Sequence, residues 1–410
     1  MMNMRTMYGK SHRDPVERTL MMNIPESFLN NQTFDSRAIG FNRQLIPNMI
    51  LGGKYEGSTV GYKVYPDGKV WVTLYGPTAT EVKAGYPANP GETEDHYVEL
   101  TKQEDGMWTG TIQYDEPGLK QLIFFVDGVR VVNPLAPIGY GWGYGINYIE
   151  VPDPEQDYIL IKDVPHGTVS QEYFYSTVTG EMECCYVYTP PKYRDDLDTK
   201  YPVLYLQHGG GENEACWIHL GKTNFSMDNL IAEGKAVPFI IVMNNAMMQV
   251  NTDGNPHLDT SKYNEMVIKD CIPFIESHYR VIADKKHRAI AGLSMGSLLS
   301  GEMIMSHYDV FGSAGLFTGY TYPVAPGYTG RDQTEQLKVL DDAETFNREV
   351  NPFFGAIGDH EVSLPLFEQE RVTCRDKGIN YIQKIYPGYH EWRVWRAAFH
   401  DYAQLVFKND

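Results

Sequence analysis

Long apolar runs are missing from this sequence. The longest, such as Leu122–Val126 and Phe239–Met243, fall far short of the ~20 residues a membrane-spanning helix needs, so no spanning segment is expected. Positive charge is scarce as well: 35 Lys and Arg stand against 53 Asp and Glu, a formal net charge of −18, with no Lys/Arg block. Such a chain repels phosphate backbones and anionic headgroups, which argues against nucleic-acid and membrane partners. Cysteine is sparse and unpaired in pattern. Cys184, Cys185, Cys216, Cys271 and Cys374 show no C-x-x-C spacing, so neither a zinc knuckle nor a disulfide framework follows. Repeats and low-complexity tracts are absent too, apart from one biased segment, Gly139-Tyr-Gly-Trp-Gly-Tyr-Gly145. Core material is plentiful: 42% of the 410 residues are apolar, enough for two to three domains at roughly 150 residues each. Aromatics make up 13%, with 29 Tyr, which suits stacking on sugars or phenolic rings as well as packing.

Residues 1–37 are polar, Met-rich and aperiodic, and read as an N-terminal extension. From Ala38 to Pro152, short runs of period-two alternation follow one another: Gly61–Val64, Val70–Tyr75, Glu81–Ala84, Tyr97–Leu100, Trp108–Gln113, Gln121–Val126 and Arg130–Val132. Between them fall Asp67-Gly68, Asp105-Gly106 and Asp127-Gly128, and Asp-Gly supplies the positive φ that two-residue hairpin loops require. This pattern predicts an all-β, immunoglobulin-like sandwich over 38–152. Beyond Asp153 the pattern changes. A strand pair (Gly167–Ser176, Glu181–Thr189) leads into strands Pro202–Gln207, Phe239–Met243, Arg288–Ala291, Ser313–Phe317, Pro352–Ile357 and Tyr381–Tyr386. Helical stretches at Phe225–Glu233, Asn264–His278, Ser297–His307 and Trp392–Phe407 alternate with them. Such alternation predicts a mostly parallel sheet flanked by helices over 153–410.

The sharpest chemical signal is Gly292-Leu293-Ser294-Met295-Gly296, a G-x-S-x-G directly after an apolar strand and directly before a helix. A nucleophile elbow holds its serine in a strained turn where strand and helix crowd the flanking positions, and Gly292, Gly296 and Ser297 meet that demand. Serine alone is a weak nucleophile and needs a general base. Four histidines follow Ser294. His307 and His400 lie in helices and His360 beside acidic residues, whereas His390 follows strand Tyr381–Tyr386 and the Pro387-Gly388 turn. A loop at a strand's carboxyl end suits a base, so His390 is the candidate.

The imidazole in turn needs an acid to fix its tautomer and stabilise its protonated form. Gly358-Asp359-His360-Glu361 offers both Asp359 and Glu361, and bare chemistry does not choose between them. The chain order Ser, acid, His is that of α/β-hydrolases. An oxyanion hole requires two backbone N–H donors, one after the nucleophile and one from a glycine-rich loop after an early strand. Strand Pro202–Gln207 runs into His208-Gly-Gly-Gly211, which nominates Met295 and Gly210. Trp217 and Asn245 follow strand ends on the same side and are candidate substrate contacts. The stretch Tyr320–Gln336 reads as a long rim loop. Asn251-x-Asp253-x-Asn255 lacks the glycine and distal glutamate of a calcium loop, and neither metal nor cofactor is expected.

These residues carry a resemblance. Tyr201-Pro-Val-Leu-Tyr-Leu-Gln-His-Gly-Gly-Gly211, Asn229–Lys235, Gly292–Gly296 and Tyr386-Pro-Gly-Tyr-His-Glu-Trp392 with Trp395-Arg396 resemble carbohydrate esterase family 1, the esterase-D-like α/β-hydrolases that include feruloyl and acetyl xylan esterases. In that family the acid stands third after a strand-end glycine, so the resemblance selects Glu361, with Glu in place of the usual Asp. Val70–Thr80, Trp108, Pro117-Gly118, Phe125–Val129 and Asn133-Pro134 resemble a carbohydrate-binding module of family 48, a domain found before feruloyl esterases of gut and rumen polysaccharide degraders. The same layout occurs in enterochelin esterases.

The resemblance implies an esterase acting on feruloylated xylan or xylo-oligosaccharide through an acyl-enzyme. Alternatives within the class are an acetyl xylan esterase and a siderophore trilactone esterase, the latter poorly suited to so acidic a chain. A glycan-binding protein with an inactive hydrolase domain is the non-enzymatic alternative. The expected compartment is secreted or periplasmic with the signal absent from this chain, a cytoplasmic enzyme being the other option.

Overall fold

A computed structural model of the protein describes residues 61–89, 92–252, 255–258, 260–319 and 336–408. The expected extension 1–37, the start of the predicted sandwich up to residue 60, Asp253 and nearly all of the Tyr320–Gln336 rim lie outside them. The chain forms two compact units. The first comprises the described residues up to Ile138 with Asn147–Pro154 and His360–Ser363; the second comprises Gly139–Ile146, Glu155–Asp359 and the chain from Leu364.

The first unit is built of antiparallel strands. One sheet runs in the order Tyr62–Val64, Lys69–Tyr75, Met107–Gln113 and Thr101–Lys102. The other places His96–Glu99 beside Val82–Tyr86, then Gly118–Val126, which pairs with Val129–Val131 and with the Asn147–Val151 half of strand Tyr144–Val151. Alternation makes the core. Val70, Val72 and Leu74 point inward from one strand and pack with Ile112, Leu122, Phe124 and Ile149. The turns behave as their sequences require: Asp127 and Gly128 both have positive φ, at 48° and 80°, as a type I′ turn demands. Trp108 is buried in this core and its indole N–H donates to Gly76 O at 2.8 Å, so it is a packing residue rather than a face for glycan. Asn133 and Asn147 latch the last strand, Asn133 N–H donating to Asn147 Oδ1 at 2.7 Å and Asn147 Nδ2 donating to Asn133 O at 2.9 Å.

The second unit holds an eight-stranded sheet, numbered here within the sheet: β1 (Thr168–Tyr175), β2 (Met182–Thr189), β3 (Val203–Gln207), β4 (Ile240–Asn244), β5 (Arg288–Leu293), β6 (Ser313–Phe317), β7 (Phe353–Gly358) and β8 (Tyr381–Tyr386). Their spatial order is β1-β2-β4-β3-β5-β6-β7-β8. The first two pairings are antiparallel and those from β4 onward parallel. Strands β3, β4, β6 and β7 are buried at every residue, the mark of a parallel sheet covered on both faces. Edge strand β8 alternates instead. The helices that matter for the site are α1 (Met295–Ser306) and α2 (Trp392–Ala403). Buried residues Trp392, Trp395, Phe399 and Tyr402 of α2 recur at spacings of three and four, one apolar stripe of a 3.6-residue helix.

Candidate active site

Strand β5 ends at Leu293 and α1 begins at Met295, leaving Ser294 alone between them. Its φ of 50° and ψ of −116° are costly for a residue with a side chain, by roughly 1–3 kcal/mol. The neighbours explain why the strain persists. A Cβ on Gly292 would lie 2.5 Å from Gly296 O, and one on Gly296 would lie 2.5 Å from His208 O, so only glycine lets strand, helix and loop approach this closely. Ser294 N–H donates to Phe317 O of β6 at 2.9 Å, while Ser294 O accepts from Ser297 N–H at 3.0 Å. The backbone is held from both sides and the hydroxyl is left at the tip of the turn.

His390 reaches that hydroxyl from far along the chain. Its Nε2 lies 2.8 Å from Ser294 Oγ across 96 positions of sequence, the distance at which a neutral imidazole accepts the serine proton. The turn that carries it is pinned: Gly388, at φ 134°, donates its N–H to Asp359 Oδ1 at 2.9 Å. The imidazole meets the edge of Trp395 at a centroid distance of 5.1 Å. Trp395 is itself fixed by its indole N–H donating to Thr318 Oγ1 at 2.7 Å. One position on, the buried Arg396 guanidinium donates through Nε to Leu220 O at 3.0 Å, which ties α2 to the segment after the glycine loop. The family-like Trp395-Arg396 pair thus braces the helix behind the base.

The two candidate acids differ in environment. Asp359 is exposed and its carboxylate is engaged by Gly388 N–H. Glu361 is buried, 7% exposed, and its Oε2 accepts from Ser363 Oγ at 3.3 Å. Asp359 therefore shapes the turn that carries the base.

The glycine loop is organised residue by residue. Gly209 N–H donates to Glu212 Oε2 at 2.9 Å, and Gly209 O accepts from His208 Nδ1 at 2.7 Å and from Glu212 N–H at 3.3 Å. Because His208 Nε2 accepts from Ala246 N–H at 2.9 Å, the ring proton is assigned to Nδ1. Gly211 N–H donates to Met247 Sδ at 3.3 Å, and Gly211 O accepts from Gly143 N–H at 2.6 Å. Among the described residues, neither Gly210 N–H nor Met295 N–H meets an acceptor. Met295 stands in the first helical turn, where N–H groups have no intrahelical partner. A Cβ on Gly210 would meet nothing within 4 Å, whereas one on Gly209 would lie 3.4 Å from Ser294 Cβ. The loop lies against the nucleophile and opens at Gly210.

One of the two expected substrate contacts, Trp217, falls elsewhere. Trp217 is 1% exposed, its indole N–H donates to Gln207 O at 2.8 Å, and it packs edge-on to Trp392. It supports the end of β3 from within and does not wall a slot; a tryptophan after a glycine loop carries no signal that separates these roles. Asn245 is half-buried and its Oδ1 accepts from Met247 N–H at 2.9 Å, which shapes the loop after β4. His208 and Glu212 escaped the sequence reading although both flank the glycine triplet. Their signal was a histidine and a carboxylate bracketing a segment that must pack against the elbow.

Burial pushes the His208 imidazole down to about 4 from its ordinary 6.5. That ring contributes stability that is fully present above 6.5 and lost as the pH falls through about 4. Burial also pushes the Glu212 carboxyl up to about 7 from 4.5, against the pull of Gly209 N–H and of His390. Its contribution has the opposite sign, fully present below 4.5 and lost as the pH rises through about 7. Each is on the order of 3 kcal/mol, so the two offset one another in mildly acidic solution. Glu212→Gln removes the second alone. Its unfolding free energy relative to the wild type is expected to rise by roughly 3 kcal/mol between about pH 5 and about pH 8. Urea titrations at both pH values check this, and a constant difference would contradict it.

Known proteins resemble this chain in sequence and fold. A protein of Xylanibacter ruminicola named endo-1,4-beta-xylanase/feruloyl esterase is 38% identical over 319 residues, covering 75% of this chain and 41% of that protein. The chain thus spans less than half the length of that relative. A solved structure named ferulic acid esterase is 27% identical with a TM-score of 0.51, covering 58% of this chain and 97% of the other. An enterochelin esterase from Shigella flexneri superposes with a TM-score of 0.62 over 85% of this chain and 95% of its own, at 14% identity, a likeness of fold alone. Residues 176–404, which hold the elbow, the glycine loop and the imidazole, match the model of the putative esterase family, and the chain belongs to that family.

Proposed function

We propose that this protein is a serine carboxylic ester hydrolase that releases hydroxycinnamic acids, ferulate and p-coumarate, from plant cell-wall polysaccharide such as arabinoxylan. The observation that carries the reading is the 2.8 Å contact between Ser294 Oγ and His390 Nε2 at a strained strand-to-helix corner. In the proposed reaction His390 takes the serine proton as Oγ bonds to the ester carbonyl carbon. The resulting oxyanion is met by Met295 and Gly210 N–H. His390 then gives its proton to the departing sugar oxygen as the C–O bond breaks, leaving an acyl-serine. Water, deprotonated by His390, attacks that ester, the acid leaves, and the serine recovers its proton. Glu361 takes the acid's place in this scheme, being third after the strand-end Gly358 and buried.

Two relatives named for feruloyl or ferulic acid ester hydrolysis support the acyl group. The glycine–aromatic segment supports it as well. Trp142 is 54% exposed at φ 53°, Tyr140 and Tyr144 are exposed beside it, and Gly143 ties the segment to Gly211, one residue from the proposed donor Gly210. Exposed rings next to an ester site suit a phenolic or sugar ring. A polymeric wall substrate calls for an enzyme outside the cytoplasm, secreted or periplasmic.

A substrate panel tests the reading. Methyl ferulate, methyl p-coumarate and methyl caffeate are expected to exceed acetylated xylan in kcat/KM by about tenfold or more, since an aromatic slot discriminates through ring contacts that acetate cannot make. Ferulate is also expected to be freed from feruloylated arabino-xylo-oligosaccharide. Turnover of acetylated xylan with none of the hydroxycinnamates would replace this reading with an acetyl xylan esterase.

A further inference from the structure

Glu212 has no part in the proton transfers, yet its carboxyl is buried beside the nucleophile. The loop 209–212 is closed twice, through Glu212 N–H to Gly209 O at 3.3 Å and through Gly209 N–H to Glu212 Oε2 at 2.9 Å. The second bond is the one a side chain can remove. It sets the peptide plane entering Gly209, while His208 Nδ1, at 2.7 Å from Gly209 O, sets the plane leaving it.

Peptide geometry then decides where Gly210 points. In a trans peptide the C=O of one residue and the N–H of the next are antiparallel. With Gly209 O drawn toward His208 and the turn's own Glu212 N–H, the Gly210 N–H faces the opposite way, and it meets no acceptor among the described residues. Glycine at 209 and 210 carries no side chain to hold this orientation, and flexible backbone would otherwise sample others. The carboxyl holds the peptide before Gly209 as His208 holds the one after it, so that the two together restrain the backbone torsions of Gly209. The carboxyl oxygen lies 3.3 Å from where a Gly209 Cβ would be, and the same point is 3.4 Å from Ser294 Cβ, so the latch acts within one residue of the nucleophile.

We propose that Glu212 is the positioning residue of the oxyanion loop: by accepting the Gly209 N–H it fixes the turn so that Gly210 N–H is aimed at the ester oxygen as negative charge develops there. An oxyanion donor acts through preorganisation, and a donor free to swing away stabilises the transition state less while binding the ground state about equally. The inference rests on Ser294 chemistry but not on the identity of the acyl group.

The experiment compares Glu212→Ala and Glu212→Gln with the wild type, using methyl ferulate and 4-nitrophenyl acetate so that a wrong acyl assignment does not hide the effect. Rates are expressed per active site, titrated with an aryl phosphonate, and thermal unfolding is followed in parallel. Glutamine keeps an oxygen acceptor for Gly209 N–H; alanine does not. Glu212→Ala is expected to lose about 10–100-fold in kcat with KM changed less than about threefold, short of the full loss of an oxyanion donor. The rate of phosphonylation of Ser294, whose transition state uses the same donors, falls in parallel. Glu212→Gln is expected to stay within about threefold of wild type on both. The proposal is overturned if kcat per titrated site in Glu212→Ala matches wild type, if the loss is all in KM, or if Glu212→Gln is as impaired as the alanine variant. Failure of both variants to fold would also overturn it, because the glutamine variant retains the loop bond.

Discussion

Ser294→Ala is expected to abolish ester hydrolysis and to leave the fold in place. Alanine is smaller than serine and occupies the same corner at φ 50°, so no new clash arises at an elbow where the adjacent glycines already carry the crowding. The strain of the corner is unchanged, because any side chain bears it. What disappears is the hydroxyl oxygen that stands 2.8 Å from His390 Nε2. Removing the serine of such a unit costs on the order of 10⁶ in kcat, with a residue of about 10³–10⁴ over water from the oxyanion donors. Release of ferulate from methyl ferulate is therefore expected to fall below detection, with thermal unfolding within about 0.5 kcal/mol of wild type. Wild-type turnover by this variant would remove the serine mechanism altogether.

The second large effect separates two neighbouring carboxylates. Glu361→Gln is expected to lower kcat by about 10³–10⁴, since an amide of the same size neither fixes the imidazole tautomer nor stabilises its cation. Asp359→Asn is expected to cost at most a few-fold, because the amide oxygen can still accept the Gly388 N–H that Asp359 holds at 2.9 Å. The expectation rests on surroundings: the exposed Asp359 carboxylate accepts a backbone N–H of the turn, whereas the buried Glu361, 7% exposed, has been taken out of water. Steady-state rates on one ester at neutral pH suffice. The reverse pattern would transfer the acid's role to Asp359 and leave Ser294 and His390 untouched.

Much of this was legible in the residues, for physical reasons that differ from place to place. The elbow announces itself because only glycine fits at 292 and 296, and steric exclusion leaves a mark at fixed offsets. Strands β3 to β7 are legible as apolar runs because a sheet covered on both faces tolerates little else. The π-turn Val267–Cys271, which interrupts the predicted Asn264–His278 helix, leaves no pattern of its own. Nor does helix Leu364–Lys377, of which only Phe367, Glu370 and Cys374 are buried, too narrow a stripe to signal a face. Strand Tyr144–Val151 was hidden by the glycines before it, which read as a junction. Trp217 shows the limit most plainly. Its place after the glycine loop was right, but whether an indole lines a slot or fills the core depends on packing against Trp392, a residue 175 positions away in the sequence.

The central claim is that Ser294 carries the acyl group between the two half-reactions. Mixing wild-type enzyme with 4-nitrophenyl ferulate, quenching in acid during the nitrophenol burst and mapping the protein by mass spectrometry tests it directly. One feruloyl adduct is expected, on the peptide containing Ser294, and none in Ser294→Ala. An adduct on another residue, or steady turnover with no adduct and no burst in a variant whose deacylation is slowed, such as Glu361→Gln, would contradict the account.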